Sequence, residues 1–164
     1  MNAFLAALAD TRVYPITDTR ISGWSHAQQV ELLCGAGARL VQVRDKTLSP
    51  AEFYREAVAA VAVARACGVK IIINDRIDIA IAVKADGVHL GQDDLPPVAA
   101  RGLLGSNLII GYSTHTTDQA EEAAQLPVDC VAIGPVFTTG TKEAAEPVVG
   151  ISTIAAARKI VGSI

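Results

Sequence analysis

Lys70-Ile-Ile-Ile-Asn74-Asp75 confines this chain more than any other stretch. Its run of β-branched residues is too short for a helix and too apolar for a surface loop, so it reads as a buried strand ending at Asn74-Asp75. Ile77, Ile79, Ile81 and Val83 then alternate as a strand would, but the alanines between them and the Asn-Asp start favour a short buried helix. Gly87-Val-His-Leu90 is the next strand, and Gly91-Gln-Asp-Asp94 is the loop where it ends. Asp75 and Asp94 are therefore expected at the C-terminal ends of two consecutive parallel strands, where α/β proteins bind ligands.

The same alternation runs through the chain. Val13–Thr17 is a candidate first strand with Pro15 oddly placed inside it, followed by a loop from Asp18 to Gly23. Ser25 and Ser49 are placed to start helices, and Gly68 to stop the second one near Ala66. Between those helices lies the strand Leu40–Arg44, in which Gln42 and Arg44 share a side by the two-residue period, and Lys46 extends the set into the loop. After Pro96-Pro97 come a short helix to Leu103, a strand Leu108–Gly111 opening into Tyr112-Ser113-Thr-His115, and a helix to about Gln125. The strand Val128–Ile133 opens into Gly134-Pro-Val-Phe-Thr-Thr139-Gly-Thr141-Lys142, and a last helix spans about Ile151 to Ile160.

Six strands alternating with helices, with no hairpin signal, argue for parallel βα units. Nearly every strand end carries a polar group, and a barrel brings all of its strand ends to one rim, whereas an open sheet uses only those near a switch point. The expected fold class is therefore α/β, a TIM (β/α)₈-type barrel of which about six βα units are present, with 1–164 as a single barrel domain lacking the last two.

Composition narrows the function classes. With 164 residues, 51% hydrophobic, the chain can bury a sizeable core, and a net charge of -3 offers no basic footprint for nucleic acid or an anionic membrane. No apolar run approaches the roughly 18 residues that span a bilayer. Cys34, Cys67 and Cys130 are odd in number and set among apolar residues, as reduced core thiols of a cytoplasmic protein would be.

Two carboxylates at strand ends suit Mg²⁺, which takes a few carboxylate oxygens together with waters and substrate phosphate. The plainer alternatives are that Asp75 is a helix N-cap and Asp94 a loop residue. Thr139-Gly-Thr-Lys142 offers hydroxyls, approachable amides and a cation for a phosphate, without Walker spacing. Arg44 and Lys46 would serve a second anion or be a solvated strand end. His89 reads as a core imidazole, His115 stays open, and Trp24 reads as packing.

Gln42-Val-Arg-Asp-Lys46, Ile73-Asn-Asp75, Ala85-Asp-Gly-Val-His-Leu-Gly-Gln-Asp-Asp94, Gly111-Tyr-Ser-Thr-His115 and Gly134-Pro-Val-Phe-Thr-Thr-Gly-Thr-Lys142 resemble, in order and spacing, the motifs of the thiamine-phosphate synthase family. The resemblance implies a (β/α)₈ barrel and a transferase that joins 4-amino-2-methyl-5-hydroxymethylpyrimidine diphosphate to a thiazole phosphate and releases pyrophosphate. It implies that Gln42, Arg44, Lys46 and Asn74 hold the pyrimidine diphosphate, that Ser113 contacts the pyrimidine, and that Asp75 and Asp94 bind Mg²⁺. Thr139 and Thr141 would hold the thiazole phosphate, and Lys142 would meet the departing pyrophosphate. The rival readings are a thiazole tautomerase-like sister enzyme and a non-catalytic phosphate-binding barrel. Small molecules are the expected partners, with a homo-oligomer open. Against the family pattern Ile160–Ile164 falls where a seventh strand would begin, so the chain is expected to continue past Ile164, with a truncated protein as the other reading.

Overall fold

The computed structural model describes residues 3–8, 11–138, 140 and 147–162. Among them strands and helices alternate: α1 (Ala3–Leu8), β1 (Ile16–Thr17), α2 (Thr19–Ser22), α3 (His26–Gly35), β2 (Leu40–Val43), α4 (Pro50–Cys67), β3 (Lys70–Asn74), α5 (Ile77–Val83), β4 (Gly87–Leu90), α6 (Pro97–Leu104), β5 (Ile109–Thr114), α7 (Thr117–Ala123), β6 (Cys130–Ile133) and α8 (Gly150–Val161). β1 pairs with β2, β2 with β3, β3 with β4 and β5 with β6, all in parallel, and strand order follows chain order. A doubly wound sheet reverses its order at a switch point, and the described strands show no reversal. The succession is that of an α/β fold of the TIM-barrel type, with six strands.

The described residues of Met1–His89 and Ser106–Ile109 form one compact unit. Its core is built on strands: Leu40, Val41 and Val43 of β2, Ile71, Ile72 and Ile73 of β3 and Val88 of β4 are almost wholly buried, as a parallel sheet covered on both faces requires. Ala57, Ala60 and Ala64 bring α4 close against them. Ser25 caps α3 reciprocally with Gln28, Ser49 caps α4 with Glu52, and Gly68 closes α4 at φ 70°. Over 77–83 the chain is helical as expected. Ile77, Ile79, Ala80 and Val83 are buried while Ile81 is exposed, a helical stripe rather than an alternating one.

Two local expectations in this unit change. The first strand is only Ile16–Thr17, because Pro15 has no N–H to give a ladder; it stands just before the strand, and its carbonyl accepts from the Gln42 N–H at 2.9 Å. The loop after it contains α2, which starts where Asp18 Oδ1 accepts from the Arg20 N–H and stops at Gly23 with φ 71°.

The described residues of Leu90–Gly105 and Ile110–Ile164 form the second unit, with Leu90, Ala100, Leu104, Ile110, Ala120, Ala123, Cys130 and Ala157 buried. β5 continues past Gly111, since Tyr112, Ser113 and Thr114 pair with Val131, Ala132 and Ile133. β6 begins at Cys130 rather than Val128. Asp129 just before it gives its N–H to the Ile110 carbonyl and accepts the Ile110 N–H on Oδ2, each at 2.8 Å. Asp86 treats Ile71 in the same way in the first unit, at 2.9 Å both times. An aspartate one residue ahead of a strand thus fastens the start of the preceding strand twice, in Ala85-Asp86-Gly87 and again in Val128-Asp129-Cys130.

Candidate active site

Gln42 lies opposite Ile72 and Asn74 opposite His89 in the ladder. Residues two apart share a face, so Gln42, Ile72, Asn74 and His89 stand on one side of the first unit's sheet, and Thr17, Val43, Ile73 and Val88 on the other. Gln42 is only 2% exposed. β2 ends at Val43, and Arg44 follows with its Nη1 at 3.4 Å from Asp18 Oδ2. Sequence reading placed Asp18 in a loop and missed this pairing. His89 is buried, its ring 6.2 Å from that of Tyr14, in keeping with the core reading.

Asp75 has φ 60°, the left-handed region that residues with side chains seldom occupy. Its N–H still donates to the His89 carbonyl at 2.8 Å. Its carboxylate accepts from Asn74 Nδ2 at 2.8 Å on Oδ1 and pairs through Oδ2 with Lys46 Nζ. The helix-cap alternative fails, since Arg76 is the N-cap of α5 and no side chain caps it. Lys46 and Asp75, expected on different ligands, are here partners of each other.

On the opposite face stands a cluster that sequence reading also missed. Asp45, between Arg44 and Lys46, has a side chain 1% exposed. It accepts from Thr47 N–H at 2.8 Å, Thr47 Oγ1 at 2.7 Å and Leu48 N–H at 3.0 Å, all on Oδ1, and from Thr19 Oγ1 at 2.6 Å on Oδ2. Burial alone would push its carboxyl up, but the bonds from Thr19, Thr47 and Leu48 outweigh it and hold the group well below the ordinary aspartate range. His26, wholly buried, has Nδ1 at 2.7 Å from Thr17 Oγ1 and Nε2 at 3.6 Å from Asp45 Oδ2, too long for a hydrogen bond. The Thr17 hydroxyl also donates to the Gln42 carbonyl at 3.3 Å, so Thr17 links His26 to β2. Burial lowers the His26 pKa, with Asp45, Glu56 and Asp18 only partly restoring it. The one legible signal was Asp45-Lys-Thr47, an aspartate two residues ahead of a threonine, the spacing of an Asx turn.

In the second unit Asp94 Oδ2 accepts the Gly91 N–H at 2.7 Å and closes the loop after β4. Gln92 Nε2 donates to the Ser113 carbonyl at 2.6 Å, so that loop is tied to β5 at the residue expected to contact the pyrimidine. Ser113 sits within the strand rather than in the loop beyond it. His115 Nδ1 lies 2.6 Å from the Gly134 carbonyl, so the imidazole fastens the chain just after β6, while the His115 backbone N–H donates to Gln119 Oε1 at 2.7 Å. Thr139, Thr141 and Lys142 lie outside the described residues.

Among the described residues no three His, Cys, Asp or Glu side chains gather as a metal cage. Mg²⁺ does not need one, since it keeps several waters and takes one or two carboxylates with substrate oxygens. The Asp75 carboxylate in the first unit, 17% exposed, and the Asp94 carboxylate in the second, each just past the end of a strand, are donors of the kind that ion takes.

Two other expectations are corrected. Trp24 is not packing: it is 51% exposed and borders a cleft of about 390 Å³ with Thr19, Leu48, Glu52, Arg55 and Glu56. Of the cysteines only Cys130 is in the core, Cys34 being half-buried and Cys67 exposed. Burial pushes the Cys130 thiol up to about 12, and burial with the neighbouring Cys67 thiol pushes Cys34 up to about 11, so neither is a thiolate nucleophile at neutral pH. None of the described helices is long and apolar enough to cross a membrane.

Comparison with known proteins joins these observations. The chain is 40% identical over 156 residues to the thiamine-phosphate synthase of Chloroflexus aurantiacus, covering 94% of this chain and 72% of that one. It is 41% identical over 152 residues to the thiamine-phosphate synthase of Syntrophomonas wolfei, covering 92% and 73%. Its fold matches the solved thiamine phosphate pyrophosphorylase from Pyrococcus furiosus with a TM-score of 0.78 and 33% identity, over 92% of this chain and 69% of that one. The family model described as thiamine monophosphate synthase matches residues 13–163, and the chain belongs to that family of transferases.

Proposed function

We propose that the chain joins 4-amino-2-methyl-5-hydroxymethylpyrimidine diphosphate to a thiazole phosphate and releases pyrophosphate. The observation that carries this is Lys46 on the Asp75 carboxylate, beside Asn74 at the end of β3, with Arg44 oriented by Asp18 at the end of β2. These are groups that handle a polyanion and its counter-cation, and a tautomerase has no use for them.

Gln42, Arg44, Lys46 and Asn74 bind the diphosphate, and Ser113 orients the pyrimidine. Asp75 and Asp94 would hold Mg²⁺, which when bound neutralises diphosphate charge and stabilises it as a leaving group. Thr139 and Thr141 hold the thiazole phosphate, and Lys142 meets the pyrophosphate as it departs. The carbon–oxygen bond to the diphosphate breaks first, leaving a stabilised pyrimidine carbocation that the thiazole nitrogen captures. Such chemistry needs no protein nucleophile or general base. The residues' work is to place cations where negative charge develops and to keep water off the cation. The protein acts in the cytoplasm on small molecules, alone or as a homo-oligomer.

The test is an assay with both substrates and Mg²⁺, following thiamine phosphate and pyrophosphate together. Formation of both in equal amounts is expected. Isomerisation of the thiazole without pyrophosphate release would assign the tautomerase reading, and inertness towards both would assign a binding protein.

A further inference from the structure

We propose that Asp45 is the positioning residue for the two cations that flank it, fixing the loop after β2 so that Arg44 and Lys46 present their charges to the diphosphate. The inference rests on the reading above that those cations meet the diphosphate. Its own support is geometric. Asp45 Oδ2 lies 3.6 Å from Nε2 of His26, whose Nδ1 is bonded to the Thr17 hydroxyl, so Asp45 stands on the face of Thr17 and Val43, opposite the face shared by Gln42, and there its side chain is 1% exposed.

β2 ends at Val43, so nothing in the ladder holds Arg44 and Lys46 in place. Asp45 does so from behind. Oδ1 gathers the Thr47 N–H, the Thr47 hydroxyl and the Leu48 N–H, which bends the chain directly after Lys46. Oδ2 accepts the Thr19 hydroxyl at 2.6 Å and so fastens this bend to α2. Asp18, next to Thr19, meets Arg44 at 3.4 Å. One buried carboxylate therefore sets the loop carrying Lys46 and steadies the segment that carries the partner of Arg44. Its place on the opposite side, with both oxygens taken up by these bonds, keeps the carboxylate out of contact with what the two cations bind.

The experiment measures binding of inorganic pyrophosphate with Mg²⁺, and of thiazole phosphate, to Asp45→Ala, Asp45→Asn and Arg44→Ala. Asp45→Ala is expected to weaken pyrophosphate about tenfold or more while thiazole phosphate stays within about twofold, since only the loop after β2 loses its hold. Asp45→Asn keeps the Oδ1 bonds through its amide oxygen and should recover to within about threefold of the parent. If Arg44→Ala leaves pyrophosphate affinity unchanged, the diphosphate reading fails and this inference with it. If Arg44→Ala weakens it while Asp45→Ala does not, the inference alone is overturned. Equal loss of both ligands in Asp45→Ala, or an Asn variant as poor as the Ala one, also overturns it, the first by showing a general structural role and the second a role for charge. Should Asp45→Ala not fold, Thr19→Val decides: a rise of about threefold in the pyrophosphate dissociation constant is expected, and no change overturns the proposal.

Discussion

Lys46 Nζ pairs with Oδ2 of Asp75, whose other oxygen accepts from Asn74, so the lysine occupies a carboxylate that the proposed function assigns to Mg²⁺. One cation must then give way to the other. Lys46→Met should tighten Mg²⁺ binding in the absence of diphosphate by about threefold, the scale of a partly exposed ion pair, while weakening pyrophosphate. Calorimetric titration of each ligand separately checks this. Weaker binding of the ion itself would show that Lys46 and Mg²⁺ do not share Asp75.

Asp75→Asn and Asp94→Asn should each abolish most activity and raise the Mg²⁺ requirement steeply. The fold should survive the first change, because an amide at 75 can still accept from Asn74. It should survive the second, because an amide oxygen at 94 can still take the Gly91 N–H. Unfolding midpoints separate lost chemistry from lost structure, and normal turnover at low Mg²⁺ in either variant would remove the carboxylate concerned from the metal.

His26 makes stability depend on pH. Burial lowers its folded-state pKa below the ordinary 6.5, so the unfolded chain takes up a proton more readily than the folded one. Its contribution is complete above about pH 6.5 and is lost as pH falls from there towards the lowered value. Thermal unfolding of the parent and of His26→Gln between pH 5 and 8 should show midpoints that converge on the acid side. A constant gap across the range would mean that His26 keeps its ordinary pKa in the folded protein.

Much of this was legible because it is local. The helix over 77–83 is set by alanines between isoleucines, and the starts of α3 and α4 by serines three residues ahead of Gln28 and Glu52. What stayed hidden joins residues far apart in the chain. Asp18 meets Arg44 and Thr19 meets Asp45 at separations of 26 residues, and no periodicity marks such pairs. Tyr112 to Thr114 read as a loop because a strand end is decided by its neighbour, here Val131 to Ile133, rather than by its own side chains.

Gly87 is a case in which space, rather than backbone conformation, requires glycine. A Cβ there would lie 2.2 Å from the Ile109 carbonyl oxygen and 2.7 Å from its Cβ, and a backbone atom cannot swing away. Gly87→Ala should cost about 3 kcal/mol or prevent folding. Gly68, at φ 70° with nothing within 4 Å of its own Cβ position, is the control, and Gly68→Ala should cost only about 1 kcal/mol. Denaturant midpoints compare the two. Equal losses would mean that β4 shifts away from Ile109 at little cost.

Lys142 follows the threonines proposed to hold the thiazole phosphate, so its charge could serve either that ground-state phosphate or the departing pyrophosphate. The two roles differ in when the charge matters. A cation on a bound phosphate acts equally before and during reaction, whereas one on a leaving group acts mainly as negative charge develops on it. Lys142→Ala should therefore slow the single-turnover step by about a hundredfold or more, the loss seen when one charge-stabilising group is removed, and change thiazole phosphate affinity by only about threefold. Rapid-quench measurement at saturating substrates, beside titration of thiazole phosphate alone, reads both. An unchanged rate with weakened affinity would move Lys142 from the leaving group to the thiazole phosphate.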